Sequence, residues 1–188
     1  MSVKFEATLE DLRRIPDNQK AELVDGVLVL MSPTGFFPGR AAGEIYASLR
    51  EYERRTKHGY ALPDNVGFTV DLPHRKSFSP DAAFFTGQPA GMRFLDGAPV
   101  FAVEVRSEGD YGTQAEREMA RKRADYFAAR TQVVWDVDLL DGDVIRVYRA
   151  DALGTLTIYQ RGMVAEAEPA VPGWRFAVDE LFGGQPVP

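Results

Sequence analysis

The chain has 188 residues, of which 45% are hydrophobic and 11% aromatic, so it can bury a core and lacks the composition of a disordered protein. The absence of cysteine excludes disulfides and thiolate metal sites, and no segment resembles a membrane span or a secretory signal. We therefore expect a soluble, cytoplasmic protein that forms one domain over residues 1–188 and has no membrane partner.

The net charge of −6 argues against a protein that coats nucleic acid through a large basic face. It does not exclude a nuclease, because acidic side chains gather where a metal ion is held and basic ones can cluster locally. Basic residues are concentrated in segments 50–58 and 117–130. Each segment fits a nucleic-acid contact and a solvated helix face equally well.

The first part of the chain predicts a short helix, a hairpin and a long helix. A threonine N-cap followed by acidic residues predicts a helix over residues 8–14. Two β-prone runs joined by Asp25-Gly26 predict a hairpin over residues 21–30 with a type I′ turn. Apolar residues at helical spacing then predict an amphipathic helix over residues 40–57.

The remainder of the chain combines strands with one further long helix. The predicted strands cover residues 60–62, 66–72, 80–86, 99–106, 132–138, 143–149 and 155–160. The helix is predicted over residues 113–129, and Asp141-Gly142 predicts another hairpin turn. This order indicates an α/β protein of the α+β type, with a mixed β-sheet flanked by helices.

Two carboxylates are predicted to face each other on neighbouring strands. If position 86 pairs with position 99 in an antiparallel hairpin, Asp81 lies opposite Glu104, with side chains about 5 Å apart. Such a pair is costly unless a cation lies between the charges. Glu104 also interrupts an apolar run, and a buried carboxylate must be paired or bind a metal. A salt bridge to Arg106, which projects on the same face, or to a helix arginine is the alternative.

Lys122 is predicted to lie on the apolar face of the helix at 113–129. It follows Met119 by one turn and precedes Tyr126 by another, so helical spacing places it among packing residues. The lysine either meets an anion there or extends its methylene stem to solvent. An inward lysine beside two inward carboxylates is the set of groups that metal-assisted phosphodiester hydrolysis requires. Tyr126 is predicted to be a packing residue.

Short segments distributed over nearly the whole chain carry a family resemblance. They are residues 22–26 (Glu-Leu-Val-Asp-Gly), 31–35 (Met-Ser-Pro-Thr-Gly), 79–84 (Ser-Pro-Asp-Ala-Ala-Phe), 103–107 (Val-Glu-Val-Arg-Ser), Lys122 with Tyr126, 135–138 and Pro172-Gly173. In order and spacing they resemble the Uma-type family of restriction endonucleases, within the PD-(D/E)XK nuclease superfamily. The resemblance implies a restriction-endonuclease-like core, Mg²⁺ as cofactor, with Mn²⁺ able to substitute, and DNA as substrate.

The resemblance gives roles to the acidic and basic residues. Asp81 matches the Pro-Asp motif and Glu104 the acid of the E-x-K motif, so both are expected to bind Mg²⁺ together with the backbone carbonyl of Val105. Lys122 matches the lysine that similar sequences carry in the following helix. It would orient or activate the attacking water and stabilise the phosphorane.

Five further positions depart from the family pattern or allow an alternative interpretation. Arg106 occupies the place of the superfamily lysine; it cannot act as a base but can clamp a phosphate. Glu22 resembles the supporting acid of these nucleases, or is an edge-strand residue facing water. Asp136 and Asp138 either reach the site or form a solvent face. Pro38 stands where many relatives have histidine.

The main hypothesis is therefore a magnesium-dependent endonuclease that hydrolyses DNA phosphodiester bonds. The alternative is a catalytically weak or inactive nuclease-fold module that binds nucleic acid or a protein partner, favoured by the acidic balance, Arg106 and Pro38. A third hypothesis is a structural homodimer whose carboxylates are satisfied by arginines. A homodimer also suits the enzyme, since cutting both strands needs two sites.

Overall fold

The computed structural model describes residues 6–16 and 19–182, and each predicted helix and strand has a counterpart there. The helices are α1 (Leu9–Arg13), α2 (Phe36–Thr56) and α3 (Thr113–Ala128), with 3₁₀ helices at Ala150–Ala152 and Val178–Phe182. The strands are β1 (Lys20–Val24), β2 (Val27–Met31), β3 (Tyr60–Leu62), β4 (Phe68–Thr69), β5 (Ser77–Phe78), β6 (Ala82–Phe85), β7 (Leu95–Asp96), β8 (Phe101–Val105), β9 (Val133–Asp138), β10 (Val144–Arg149), β11 (Thr157–Tyr159), β12 (Val164–Glu166) and β13 (Arg175–Ala177). Within these described ranges, no helix has the length and apolar character needed to cross a membrane.

Among the described residues, a six-stranded mixed sheet runs in the order β11-β10-β9-β8-β6-β3. Strands β8 and β9 are parallel, and α3 connects them because parallel neighbours need a crossover. The other neighbouring strands are antiparallel. This architecture confirms the predicted α/β class with a mixed sheet flanked by helices.

Strands β6 and β8 pair in the predicted register. Ala82 is opposite Val103, and Asp81, one residue before β6, donates its backbone N–H to the Val103 carbonyl at 3.0 Å. The same register places position 81 opposite Glu104. The two strands therefore bring both predicted carboxylates to one end of the sheet.

The two faces of the sheet pack against different helices. On one face, Val103 packs in a core cluster with Ile45 of α2. On the other face, Ala102 packs in a second cluster with Tyr126 of α3. Because side chains alternate along a strand, Glu104 lies on the same face as Ala102 and interrupts the apolar surface that α3 covers.

The hairpin and the long helix that precede this sheet follow the predictions closely. Asp25 and Gly26 have φ of 51° and 69°, and a type I′ turn needs positive φ at both central positions. Helix α2 begins at Phe36, earlier than the predicted residue 40. Pro38 lies in its first turn, where a helix tolerates proline, so this residue does not delay the start of the helix. It ends before Lys57, whose φ of 57° is left-handed.

Candidate metal centre

Asp81 is held by one neutral donor and one cation. Its Oδ2 accepts the backbone N–H of Val105 at 2.7 Å, and its Oδ1 accepts Lys20 Nζ at 2.8 Å. The bond to Val105 ties the start of β6 to the end of β8. Asp81 is therefore fixed beside the strand that carries Glu104, and its side chain remains 22% exposed.

Glu104 is paired with a lysine and a tyrosine of α3. Its Oε1 accepts the Tyr126 hydroxyl at 2.6 Å and its Oε2 accepts Lys122 Nζ at 2.9 Å. The alternative of an arginine partner for Glu104 is thus wrong. Burial raises the pKa of Glu104 above its usual value, and the charges of Asp81 and Glu22 add to the rise against the opposing effect of Lys122.

Lys122 lies between two carboxylates. Its Nζ is 3.0 Å from Glu22 Oε1 and 2.9 Å from Glu104 Oε1, so it meets anions rather than extending to solvent. Burial alone would lower the pKa of Lys122, but Glu104 and Glu22 together raise it above its usual value. The ammonium therefore stays protonated. It can donate hydrogen bonds to water or phosphate but cannot accept a proton.

Glu22 is buried, with 4% of the residue exposed, and the alternative that it faces water is wrong. It accepts Arg75 Nη1 at 2.5 Å and the backbone N–H of Ser79 at 2.9 Å, in addition to its contact with Lys122. Burial alone would raise the pKa of Glu22, but Lys122 and Arg75 lower it below the usual range. The charged Glu22 thus fixes Lys122 in place.

Lys20 belongs to the site but was missed by the sequence predictions. Its Nζ bridges Asp64 at 2.6 Å and Asp81 at 2.8 Å. Burial alone would lower the pKa of Lys20, but Asp81 and Glu104 raise it. The available signal was its position two residues before Glu22 on β1, because alternate residues of a strand share a face.

Arg106 pairs with carboxylates other than Asp81 and Glu104. Its Nε and Nη2 each donate to Asp136 at 2.7 Å, and its Nη1 and Nη2 also donate to Glu116. Asp136 and Asp138 are 2% and 1% exposed, so the alternative of a solvent face for them is wrong. With its guanidinium occupied by carboxylates, Arg106 is placed to join β8 to β9. Its use as a phosphate clamp stays a prediction.

Tyr126 packs as predicted and also has a polar role. Its ring stacks on Phe78 with centroids 4.0 Å apart, and the residue is fully buried. Its hydroxyl, however, donates to Glu104 Oε1. Helical spacing indicated that this side chain is buried, but not which polar atom its hydroxyl would meet.

We expect Tyr126→Phe to move divalent-metal binding to higher pH. Without the hydroxyl donor, the pKa of Glu104 rises further, and a protonated Glu104 cannot bind a cation. The lost hydrogen bond to a charged group should also cost about 1.5–3 kcal/mol of stability. Calorimetric titration with Mg²⁺ or Mn²⁺ over a range of pH, together with urea unfolding, would measure both effects.

Tyr52→Phe is the matched control for this substitution. Tyr52 is also buried, at 5% exposure, and its hydroxyl donates to the Pro172 carbonyl at 2.8 Å, outside the carboxylate site. It should lose stability without altering the pH dependence of metal binding. Identical pH dependences for Tyr126→Phe and the wild type would contradict the assigned hydrogen bond.

The donors of this site suit a magnesium ion. Mg²⁺ prefers oxygen ligands and usually binds one or two carboxylates while keeping several waters. Asp81 and Glu104 provide the carboxylates, and Val105, whose carbonyl is the predicted third ligand, is bonded to Asp81 through its N–H. In residues 6–16 and 19–182, no group of three or more His, Asp or Glu side chains is arranged to hold a metal. A metal here would therefore depend on the Val105 carbonyl and on water.

The mixed sheet flanked by helices is that of a nuclease-like fold. A family model described as "Putative restriction endonuclease", Uma2, matches residues 8–179. The chain belongs to this Uma2 family. Membership in this family supports a nuclease function, which means that the protein is a hydrolase acting on nucleic acid.

A solved structure is also similar to this chain. It is a crystal structure described as that of a putative nuclease belonging to DUF820 from Anabaena variabilis. The TM-score is 0.74 and the sequence identity 14%, with 94% of this chain and 97% of that chain covered. At this identity, the similarity shows a shared fold. No curated protein matches the sequence.

Proposed function

We propose that the chain is a metal-dependent endonuclease that hydrolyses phosphodiester bonds of DNA. Asp81, Glu104 and the Val105 carbonyl would hold Mg²⁺, for which Mn²⁺ can substitute. The observation that carries the proposal is the β6–β8 register, which places Asp81 opposite Glu104 at one end of the sheet. Two opposed carboxylates at a partly open end of a sheet provide the oxygen ligands that a shared divalent cation prefers.

The residues around the carboxylates have separate roles in this proposal. When bound, the metal ion would lower the pKa of a water molecule and neutralise charge on the phosphate. Lys122, which stays protonated, would orient the attacking water and donate to phosphate oxygens as charge builds on them. Glu22 would keep Lys122 in position, and Lys20 would stabilise Asp81 as a carboxylate. Arg106 would position β8 through Asp136.

The same proposal covers the assembly and location of the protein. We propose one nuclease domain over residues 1–188, located in the cytoplasm as the cysteine-free composition suggests. Cleavage of both strands of a duplex needs two sites, and a two-fold dimer is the commonest way to provide them. A homodimer is therefore the expected form on duplex DNA.

The second candidate function is an inactive nuclease-fold module that binds a partner. One observation favours it: Lys20 and Lys122 already pair with the two carboxylates. Such lysine pairs balance the charge of the site without a metal ion. The cleavage experiment described next distinguishes this binding module from the endonuclease.

Incubation of plasmid, linear and single-stranded DNA with Mg²⁺, Mn²⁺ or EDTA tests the enzymatic function. We expect metal-dependent cleavage by the wild type and its loss in Asp81→Ala and Lys122→Ala. Asp151→Ala is the matched control, because Asp151 is an exposed carboxylate in the 3₁₀ helix after β10. Equal cleavage by all four proteins would reveal a contaminant, and absence of cleavage by the wild type would favour the binding module.

A further inference from the structure

A cavity of about 150 Å³ adjoins the carboxylate site. It lies between the first turns of α2 and the segments that carry Asp64 and Asp81, which both contribute to its lining. A cavity of this size can hold a single aromatic ring. The space is therefore continuous with the proposed cleavage site and large enough for one base.

Small residues of α2 keep this cavity open. Gly39, Ala42 and Gly43 all line it. A glycine inside a helix is destabilising relative to alanine, so its presence needs a reason. Apart from its chain neighbours and its own helix backbone, a Cβ on Gly43 would meet no atom of the described chain within 4 Å, so no packing contact explains this glycine. The gap beside Gly43 suits the close approach of a molecule from outside the chain.

Phe36 lies one helical turn before Gly39, which lines the cavity. It shares a helical stripe with Gly39 and Gly43, and its sequence neighbours Thr34 and Pro38 line the cavity. Phe36 is 78% exposed, although its large apolar ring would be expected to pack. An exposed aromatic ring one helical turn from an open cavity offers a face on which a nucleic-acid base can stack.

We propose that an unpaired nucleotide of the substrate occupies this cavity, with a base stacked on Phe36. The substrate class is therefore single-stranded or locally unpaired nucleic acid. Among the described residues, the cavity is lined by no lysine or arginine and by two carboxylates that both pair with Lys20, so it suits an uncharged base better than a phosphate. The net charge of −6 agrees with affinity that derives from stacking rather than from a basic duplex-binding face.

Fluorescence anisotropy with a short labelled single strand and its duplex tests this inference in EDTA, where no cleavage interferes. We expect tighter binding of the single strand than of the duplex. Phe36→Ala should weaken single-strand binding about tenfold, the effect of one lost base–aromatic stack, and Phe36→Trp should restore it. Leu153→Ala is the control, because Leu153 is 71% exposed and lies after β10, outside this cavity.

Gly43→Ala provides an independent test of the cavity. The added methyl group enters open space, so the melting temperature should rise because alanine favours the helix. Single-strand binding should nevertheless weaken, because the methyl group narrows the space for the base. Opposite changes in stability and affinity cannot arise from a general loss of folding.

Several results would overturn the inference. One is equal affinity of the wild type for the single strand and the duplex. Another is single-strand binding by Phe36→Ala that is as tight as that of the wild type. A further one is a change from dimer to monomer in Phe36→Ala with unchanged binding, which would make the Phe36 surface a contact between copies of the chain.

The inference rests on the proposed nuclease function, but the two can fail separately. If the wild type cleaves DNA but Phe36→Ala binds the single strand as the wild type does, the nucleotide site is refuted and the nuclease function is retained. Single-strand binding that depends on Phe36, without any metal-dependent cleavage, would remove the nuclease and retain the nucleotide site.

Discussion

Glu104→Gln is expected to abolish metal-dependent cleavage of DNA while the protein remains folded. The amide keeps the shape of the side chain but removes the charge that would bind the cation. Metal ions contribute several kcal/mol of transition-state stabilisation, so the loss should be about a thousandfold or more. Cleavage rates and calorimetric titration with Mg²⁺ or Mn²⁺ would measure the effects on activity and on binding.

The folded state should tolerate this substitution for two reasons. Lys122 retains its ion pair with Glu22 at 3.0 Å, so no buried charge is left without a partner. The amide also removes a carboxylate whose burial is unfavourable, as its raised pKa indicates. The matched control is Glu108→Gln, in the exposed turn after β8. Full activity of Glu104→Gln would refute its role as a metal ligand.

The raised pKa of Glu104 also fixes the direction of a pH effect. A group whose pKa is higher in the folded state binds its proton more tightly there, so its contribution favours folding below its unfolded pKa. That contribution is lost as the pH rises through the folded pKa. Urea unfolding of the wild type and of Glu104→Gln across this range should differ by this contribution. Metal binding should follow the opposite trend and strengthen as Glu104 ionises.

Arg106→Ala is expected to cost about 3–5 kcal/mol of stability, the usual effect of leaving a buried charge without its partner. Arg106 is 5% exposed and makes two hydrogen bonds to Asp136, which is 2% exposed. The substitution leaves the Asp136 carboxylate uncompensated inside the protein. Since small proteins are stable by only about 5–15 kcal/mol, urea unfolding should show a large shift of the midpoint.

An exposed ion pair between an arginine and a glutamate provides the control for this prediction. Arg40 and Glu44 form an ion pair on the surface of α2, with 54% and 30% of their side chains exposed. Arg40→Ala should cost about 0–1 kcal/mol, as surface pairs usually do. The double variant Arg106→Met with Asp136→Leu should recover part of the stability, because no unpaired charge remains. Equal midpoints for Arg106→Ala and Arg40→Ala would contradict the assigned buried pair.

The spacing of apolar residues along strands and helices was sufficient to predict the parts of the site that depend on the phase of a single helix or of two successive strands. Antiparallel pairing of the two apolar runs that flank the loop containing β7 predicted the β6–β8 register, and it placed Asp81 opposite Glu104. The helical phase of α3 placed Lys122 on a buried stripe, where it meets Glu104. Both inferences use local geometry, which the sequence pattern records directly.

The contacts that were missed depend on elements distant in sequence. Asp136 faces Arg106 because β9 returns parallel to β8 after a crossover, and alternation within β9 does not identify that neighbour. Lys20 reaches Asp81 because the β1–β2 hairpin packs near the start of β6, across 61 positions of sequence. No local pattern specifies how a separate hairpin docks on a sheet.

Lys20 and Lys122 act as built-in counter-ions for the carboxylates that they contact. A site with its own counter-ions stays balanced without a metal, so folding of this chain need not wait for metal as it does in zinc fingers. An incoming cation must compete with two tethered ammonium groups, which lowers its net affinity. Occupancy of such a site would follow the free concentration of the cation, which suits an abundant ion better than a scarce one.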